Sequence, residues 1–361
     1  MDHSLHITYM SFNQDRKCVA LGTSHGFRIY SAFIFSLLYS HERGTPAAIV
    51  EMLHSSNLVA VVGASEDATF SPKRLVLWNT TTSEVLISLS FKSSVSAVRL
   101  NSLRLLVCEG LSKLHLYDTD GVTHLHTLET NSTLSKLCIA LTPSDGKDRC
   151  HLLYNDSTTK GTLSVYDAFN LNSLGKIAAH SCQLRLVALN HQGNLVATAS
   201  SKGTIVRVFT VPNGEKVCEF RRGVSQATLY SLSFSLSGKF VTCSSTSGSV
   251  HLFRVEEADL ARALGAGEHF EEEDEEEEAV VIGKKGEWGG AGTGSSKDSR
   301  AEWNQGAGGL YGMVGGFLGS VLPIDLFAGS GEQSIGFGIE KTLASAFGSA
   351  KFHLVCNSED F

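Results

Sequence analysis

Short runs of alternating apolar and polar residues recur along the chain as far as Val255, and they share an ending. A Gly or a small polar residue often opens the run and an aromatic closes it. Examples are Gly26-Phe27-Arg28-Ile29-Tyr30, Leu75-Val76-Leu77-Trp78, Leu114-His115-Leu116-Tyr117, and the runs ending at Tyr166, Phe209 and Phe253. A period of two sends successive side chains to opposite faces of a strand. The closing aromatics lie roughly 40 to 50 residues apart, the period of one propeller blade. Another strand often precedes the aromatic, as in Leu105-Leu106-Val107-Cys108 or Lys239-Phe240-Val241-Thr242-Cys243. A further strand follows a turn, as in Asn213-Gly214-Glu215-Lys216-Val217-Cys218-Glu219-Phe220. The unit is about four short strands with turn residues between them. Repeated around a ring, such units bury their faces and leave only short edges. The expected fold class is all-β, a β-propeller; a β-sandwich would not generate so regular a period.

The pattern breaks after Val255. Ala258 to Leu264 predicts a short helix, followed by an acidic run and a Gly/Ser-rich stretch from Gly283 to Ser299, read as a flexible insertion. Residues 309–350 turn apolar again, with Leu310, Tyr311, Phe317 and Leu318, and with Ile339, Leu343 and Phe347 at helical i, i+4, i+8 spacing. This segment either packs on the propeller or contacts a membrane. Lys351 to Cys356 then reads as a strand returning to the sixth blade. The expected division is 1–255 for blades one to six, with three strands of the sixth; 256–350 for the insertion; and 351–361 for the returning strand. No seventh strand set follows, which leaves a truncated product or a ring that closes differently.

Composition narrows the function. The 361 residues are 42% hydrophobic, and the formal net charge is -7. Glu268 and the eight acidic residues from Glu271 to Glu278 carry nine of the negative charges, so the remainder stands at +2. A near-neutral body with one detachable acidic segment can approach an anionic surface. The eight cysteines include no C-x-x-C pair, and no charged-then-apolar leader opens the chain. Both features favour a cytosolic setting. No apolar run reaches the roughly 20 residues of a membrane span. H-E-x-x-H and Walker sequences are absent, no His/Cys spacing suits a metal, and no cofactor is expected. Without a broad basic stripe, nucleic acid is a poor partner.

The candidate chemistry lies in Phe220-Arg221-Arg222-Gly223. Adjacent residues at a strand end diverge, so the two guanidinium forks address separate pockets. Each fork fits phosphate oxygens. Taken alone, the dipeptide is an ordinary surface pair in a turn; the flanking residues decide otherwise.

From His180 to Val255 the chain resembles the PROPPIN family of phosphoinositide-binding propellers of autophagy. The matching words are Ala197-Thr198-Ala199-Ser200-Ser201-Lys202-Gly203-Thr204, the Phe-Arg-Arg-Gly motif, Leu229 to Ser235, and Val250-His251-Leu252-Phe253. Weaker likeness extends to about residue 5. The resemblance implies a seven-bladed, WD-repeat-like propeller that is not an enzyme. It implies binding of phosphatidylinositol 3-phosphate and phosphatidylinositol 3,5-bisphosphate through two rim pockets. The first would comprise His180, Ser200, Lys202, Thr204 and Arg221; the second Arg222, Ser249 and His251, with Ser231, Ser244 and Ser245 as weaker candidates. Membrane insertion would fall to Leu310, Tyr311, Phe317, Leu318, Leu343 and Phe347. The resemblance further implies autophagy machinery proteins as partners, near Arg99 and Arg104. It places the protein in the cytoplasm, peripherally attached to preautophagosomal or phagophore and endosomal or vacuolar membranes. The rival reading is a protein-interaction propeller without lipid binding.

Overall fold

The fold is taken from a computed structural model that describes residues 5–264, apart from 43, 66–69, 131–136, 144–148 and 156–159, together with the backbone of 351–355. Its strands form six four-stranded sheets. The first holds β1 (Ile7–Phe12), β2 (Cys18–Thr23), β3 (Gly26–Ser31) and β4 (Leu37–Glu42). The second holds β5 (Ala47–Met52), β6 (Leu58–Gly63), β7 (Arg74–Asn79) and β8 (Glu84–Ser90), and the third β9 (Val95–Leu100), β10 (Arg104–Glu109), β11 (Lys113–Asp118) and β12 (His124–Glu129). In the fourth are β13 (Ile139–Leu141), β14 (His151–Asn155), β15 (Gly161–Asp167) and β16 (Asn172–His180). In the fifth are β17 (Leu184–Leu189), β18 (Leu195–Ser200), β19 (Ile205–Thr210) and β20 (Lys216–Arg221). The sixth has β21 (Leu229–Phe234), β22 (Phe240–Ser245), β23 (Ser249–Arg254) and β24 (Lys351–Val355).

Successive sheets touch through their first strands, β1 on β5, β5 on β9, and on through β13 and β17 to β21. This is propeller geometry, with strand order following chain order within each blade. Second strands are almost wholly buried because both faces pack on neighbours, third strands are mostly buried, and fourth strands such as β8 and β12 turn toward solvent. Repeated turn chemistry supports the period. Asn13, Asn101 and Asn190 follow the first strand of their blades. Each is buried, and its side-chain oxygen accepts a backbone N–H at the start of the second strand, from Cys18, Arg104 and Leu195. Ser235 does the same for Phe240 in the sixth blade. An Asn side chain thereby mimics a backbone turn.

The β-propeller expectation holds over the described residues, and the six blades coincide with the six repeats. Strand β24 returns to the sixth blade as expected, but it lies parallel to β23, with Ser249 opposite Lys351 and Phe253 opposite Val355. Every other strand pair among the described residues is antiparallel. A return over nearly 100 residues relaxes the direction that a tight hairpin would impose. The expected helix spans Glu257–Leu264 (α1) and buries Leu260 against the fifth and sixth blades. The acidic run and the membrane-insertion candidates Leu310, Tyr311, Phe317, Leu318, Leu343 and Phe347 lie outside the described residues.

One expectation about surfaces changes. Arg104 is buried: its Nε donates to Ala168 O at 2.7 Å and its terminal nitrogens to Leu103 O and Phe169 O. It is a strut between the third and fourth blades. Arg99 forms an ion pair with Glu51 at 2.8 Å, and Tyr9 donates to the same carboxylate oxygen. Both guanidinium groups have partners within the chain, but Arg104 is buried whereas the Arg99 side chain remains 40% exposed.

Candidate functional site

Strand direction gathers the candidate residues on one edge. The ends of β16, β18, β20 and β22 and the starts of β17, β19, β21 and β23 share the same rim, because each consecutive pair is joined there. All eleven predicted pocket residues, from His180 to His251, fall on the fourth, fifth and sixth blades toward this edge.

Phe220 fixes the motif. It is buried and stacks on Phe253 of the sixth blade, with ring centroids 4.8 Å apart and planes 7° from parallel. Strand alternation then turns Arg221 away from that contact. It lies on the same face as Glu219, which receives Arg207 Nε at 2.7 Å, while Arg207 also donates to Ala179 O of the fourth blade. Arg221 is exposed, and no ion pair or side-chain hydrogen bond engages it among the described residues. Arg222 lies past the strand and points the other way. Its Nε donates to Gly203 O at 2.5 Å, one terminal nitrogen to Ser225 O, and the other to Ser247 Oγ of the sixth blade at 3.4 Å. The two forks diverge, as adjacent positions require, and neither is sealed against a carboxylate.

On the fourth-blade side stand His180, Ser200, Lys202 and Thr204. Lys202 is exposed, Thr204 half-buried and Ser200 buried. His180 Nε2 lies 3.0 Å from Thr198 Oγ1, whose own hydroxyl donates to Arg207 O. One ring nitrogen of His180 is therefore already engaged inside the blade. Burial lowers the His180 pKa to about 4; the Arg207 charge adds to the shift, and Thr198 and Glu219 oppose it. A buried, neutral ring with one nitrogen engaged contributes little positive charge, so Arg221 and Lys202 are the candidate cations on this side and the hydroxyls the candidate neutral donors.

On the sixth-blade side a chain of hydroxyls runs inward from Arg222. Ser245 Oγ lies 2.7 Å from Ser247 Oγ, Ser247 Oγ 2.8 Å from Ser249 Oγ, and Ser249 Oγ 3.0 Å from His251 Nε2. Hydroxyl protons rotate, so this chain can reorient toward an oxyanion. Ser231 and Ser244 are not part of it. They pair with each other at 2.9 Å. Ser244 stands opposite Val250, whereas Cys243 stands opposite His251, so Ser244 occupies the other face of the sheet.

Four residues at the rim escaped the sequence: Thr198, Arg207, Glu219 and Ser247. Thr198 had a signal, two positions before Ser200 on the same strand face. Ser247 sits in a tight Ser-rich turn between two residues that were picked. The Arg207–Glu219 pair depends on cross-strand register, which no local pattern states. Among the described residues no cluster of His, Cys, Asp or Glu could hold a metal ion, and no helix is long and apolar enough to cross a membrane.

Comparison with known proteins agrees with this architecture. The PROPPIN family model matches residues 6–266. Autophagy-related protein 18 of Dictyostelium discoideum is 37% identical over 250 residues, 69% of this chain and 65% of the relative. Its namesake from Yarrowia lipolytica is 36% identical over 269 residues, 69% and 66% of the respective chains. This chain thus spans about two thirds of the length of these relatives. Among solved structures, Kluyveromyces lactis Hsv2 superposes with a TM-score of 0.62 at 24% identity, covering 72% of this chain and 78% of that one, a likeness of fold. KlAtg21 in complex with the coiled coil of AgAtg16 gives 0.63 at 26% identity, covering 70% and 82%. These propellers are seven-bladed, one blade more than the six sheets described here. Fold, repeat period and the Phe-Arg-Arg-Gly rim all lead to one assignment: the chain belongs to the PROPPIN family.

Proposed function

We propose that this propeller binds 3-phosphorylated phosphoinositides, phosphatidylinositol 3-phosphate and phosphatidylinositol 3,5-bisphosphate, through two pockets on one rim. Docked in this way on phagophore and endosomal or vacuolar membranes, it acts as a scaffold for autophagy proteins, without catalysis. The observation that carries the reading is the divergence of Arg221 and Arg222. One is free toward the fourth-blade hydroxyls and Lys202; the other heads the Ser247-Ser249-His251 chain. Two weak sites on one membrane act together, since the first contact raises the effective concentration for the second. The scaffold role is supported by relatives named for autophagy and by the solved complex of an Atg21 with an Atg16 coiled coil. Residues 256–350 are the insertion of the proposed domain division, between the third and fourth strands of the sixth blade.

Flotation with vesicles of phosphatidylcholine, with and without each phosphoinositide, tests the site. Replacing both arginines by Thr is expected to abolish lipid-dependent flotation. Either single replacement should leave weakened binding, because one pocket remains. Full binding by the double variant would refute the assignment.

A further inference from the structure

The loop joining β20 to β21 ends in an apolar tip. Val224 is 81% exposed, more than any other large apolar side chain among the described residues. Scattered exposed apolar residues are ordinary, but this one differs in how it is held and in what flanks it. The N–H groups of Arg222 and Gly223 both donate to Thr204 O, and Ala227 N–H donates to Lys202 O. The Arg222 guanidinium ties Gly203 O to Ser225 O across the base. Both arms of the loop are thus fastened, and the side chain of Val224 projects beyond the fastening. Presenting the tip costs little further ordering entropy.

Exposed cations lie on the same edge, Arg221 beside the tip and Lys202 in the turn beneath it, and no carboxylate pairs with either among the described residues. An apolar point set among cations suits the boundary between lipid headgroups and acyl chains. The side chain leaves water there while the ammonium and guanidinium groups stay with the phosphates. A soluble inositol phosphate would gain nothing from Val224; a bilayer would. We infer that Val224 enters the membrane interface between the two headgroup pockets and adds hydrophobic affinity to them. This inference rests on the lipid reading of the rim.

The test uses the full chain with Val224→Ser and Val224→Leu, neither of which changes charge. Two probes separate the questions: a water-soluble, short-chain phosphatidylinositol 3-phosphate, and phosphatidylcholine vesicles containing a small fraction of the long-chain lipid. Expected is a loss of about three- to tenfold in vesicle affinity for Val224→Ser and a gain for Val224→Leu. Affinity for the soluble lipid and the urea midpoint should stay those of the parent. Equal vesicle binding by all three proteins would overturn the inference and leave the lipid reading standing. So would an equal loss on vesicles and on the soluble lipid, which would make Val224 part of a headgroup pocket. If the parent binds neither probe, the lipid reading falls and takes this inference with it.

Discussion

Arg221 and Arg222 are neighbours of the same type with different duties. Arg221 is exposed and engaged by nothing among the described residues, so its replacement by Thr removes the proposed anion donor and no structural contact. Arg222 also holds the loop, through Gly203 O and Ser225 O. Its replacement by Thr is expected to lower stability by about 1–2 kcal/mol in addition to weakening lipid binding. Urea unfolding separates the two: the midpoint of Arg221→Thr should match the parent, and that of Arg222→Thr should fall. His180 gives a second expectation. Its folded pKa of about 4 lies below the ordinary 6.5, because burial penalises the cation. The unfolded chain accepts a proton that the folded one refuses. Its contribution is therefore fully present above about pH 6.5 and is lost as pH falls toward 4, by about 2 kcal/mol at pH 5. Urea midpoints at pH 7.5 and pH 5 should show a larger acid loss for the parent than for His180→Asn. Equal losses would mean the ring is not buried as a neutral group.

The β18–β19 turn and the β20–β21 loop form a single working element, and Gly203 shows how closely they meet. Its φ of +62° lies in the left-handed region, and a side-chain carbon there would sit 1.9 Å from Ala227 O. Gly203→Ala should cost about 1–3 kcal/mol and push the loop off its turn. Vesicle binding should then drop even though no pocket side chain has changed; a parent-like vesicle affinity with a lowered urea midpoint would show that the loop tolerates displacement. Local pattern was a good guide to strands because inner strands packed on both faces read as short continuous apolar runs and outer strands alternate, each bounded by turn residues. Phe220 and the arginines were legible for the same reason: a buried aromatic beside a charged pair marks a strand end. Ser231 and Ser244 stand on the face opposite to His251, a separation that follows from cross-strand register and not from nearness along the chain. A bulge between Leu229 and Ser231 further shifts that register.

Across the molecule, charge is segregated. The nine acidic side chains of residues 268–278 reverse the sign of an otherwise weakly basic protein, and an anionic membrane repels them. Deleting residues 268–278 is expected to tighten vesicle binding at low salt, with the difference shrinking as added salt screens it. Flotation across a salt series checks this, and an unchanged affinity at low salt would count against it.

Blade number along the chain, the Arg pair and the acidic segment follow from composition and spacing, since strand period and charge are local properties. The contact of Arg222 with Ser247, the engagement of His180, Arg99 and Arg104 within the chain, and the parallel seating of β24 were decided only by packing. Those depend on cross-strand register and on contacts between blades, and both link residues that the one-dimensional order keeps far apart.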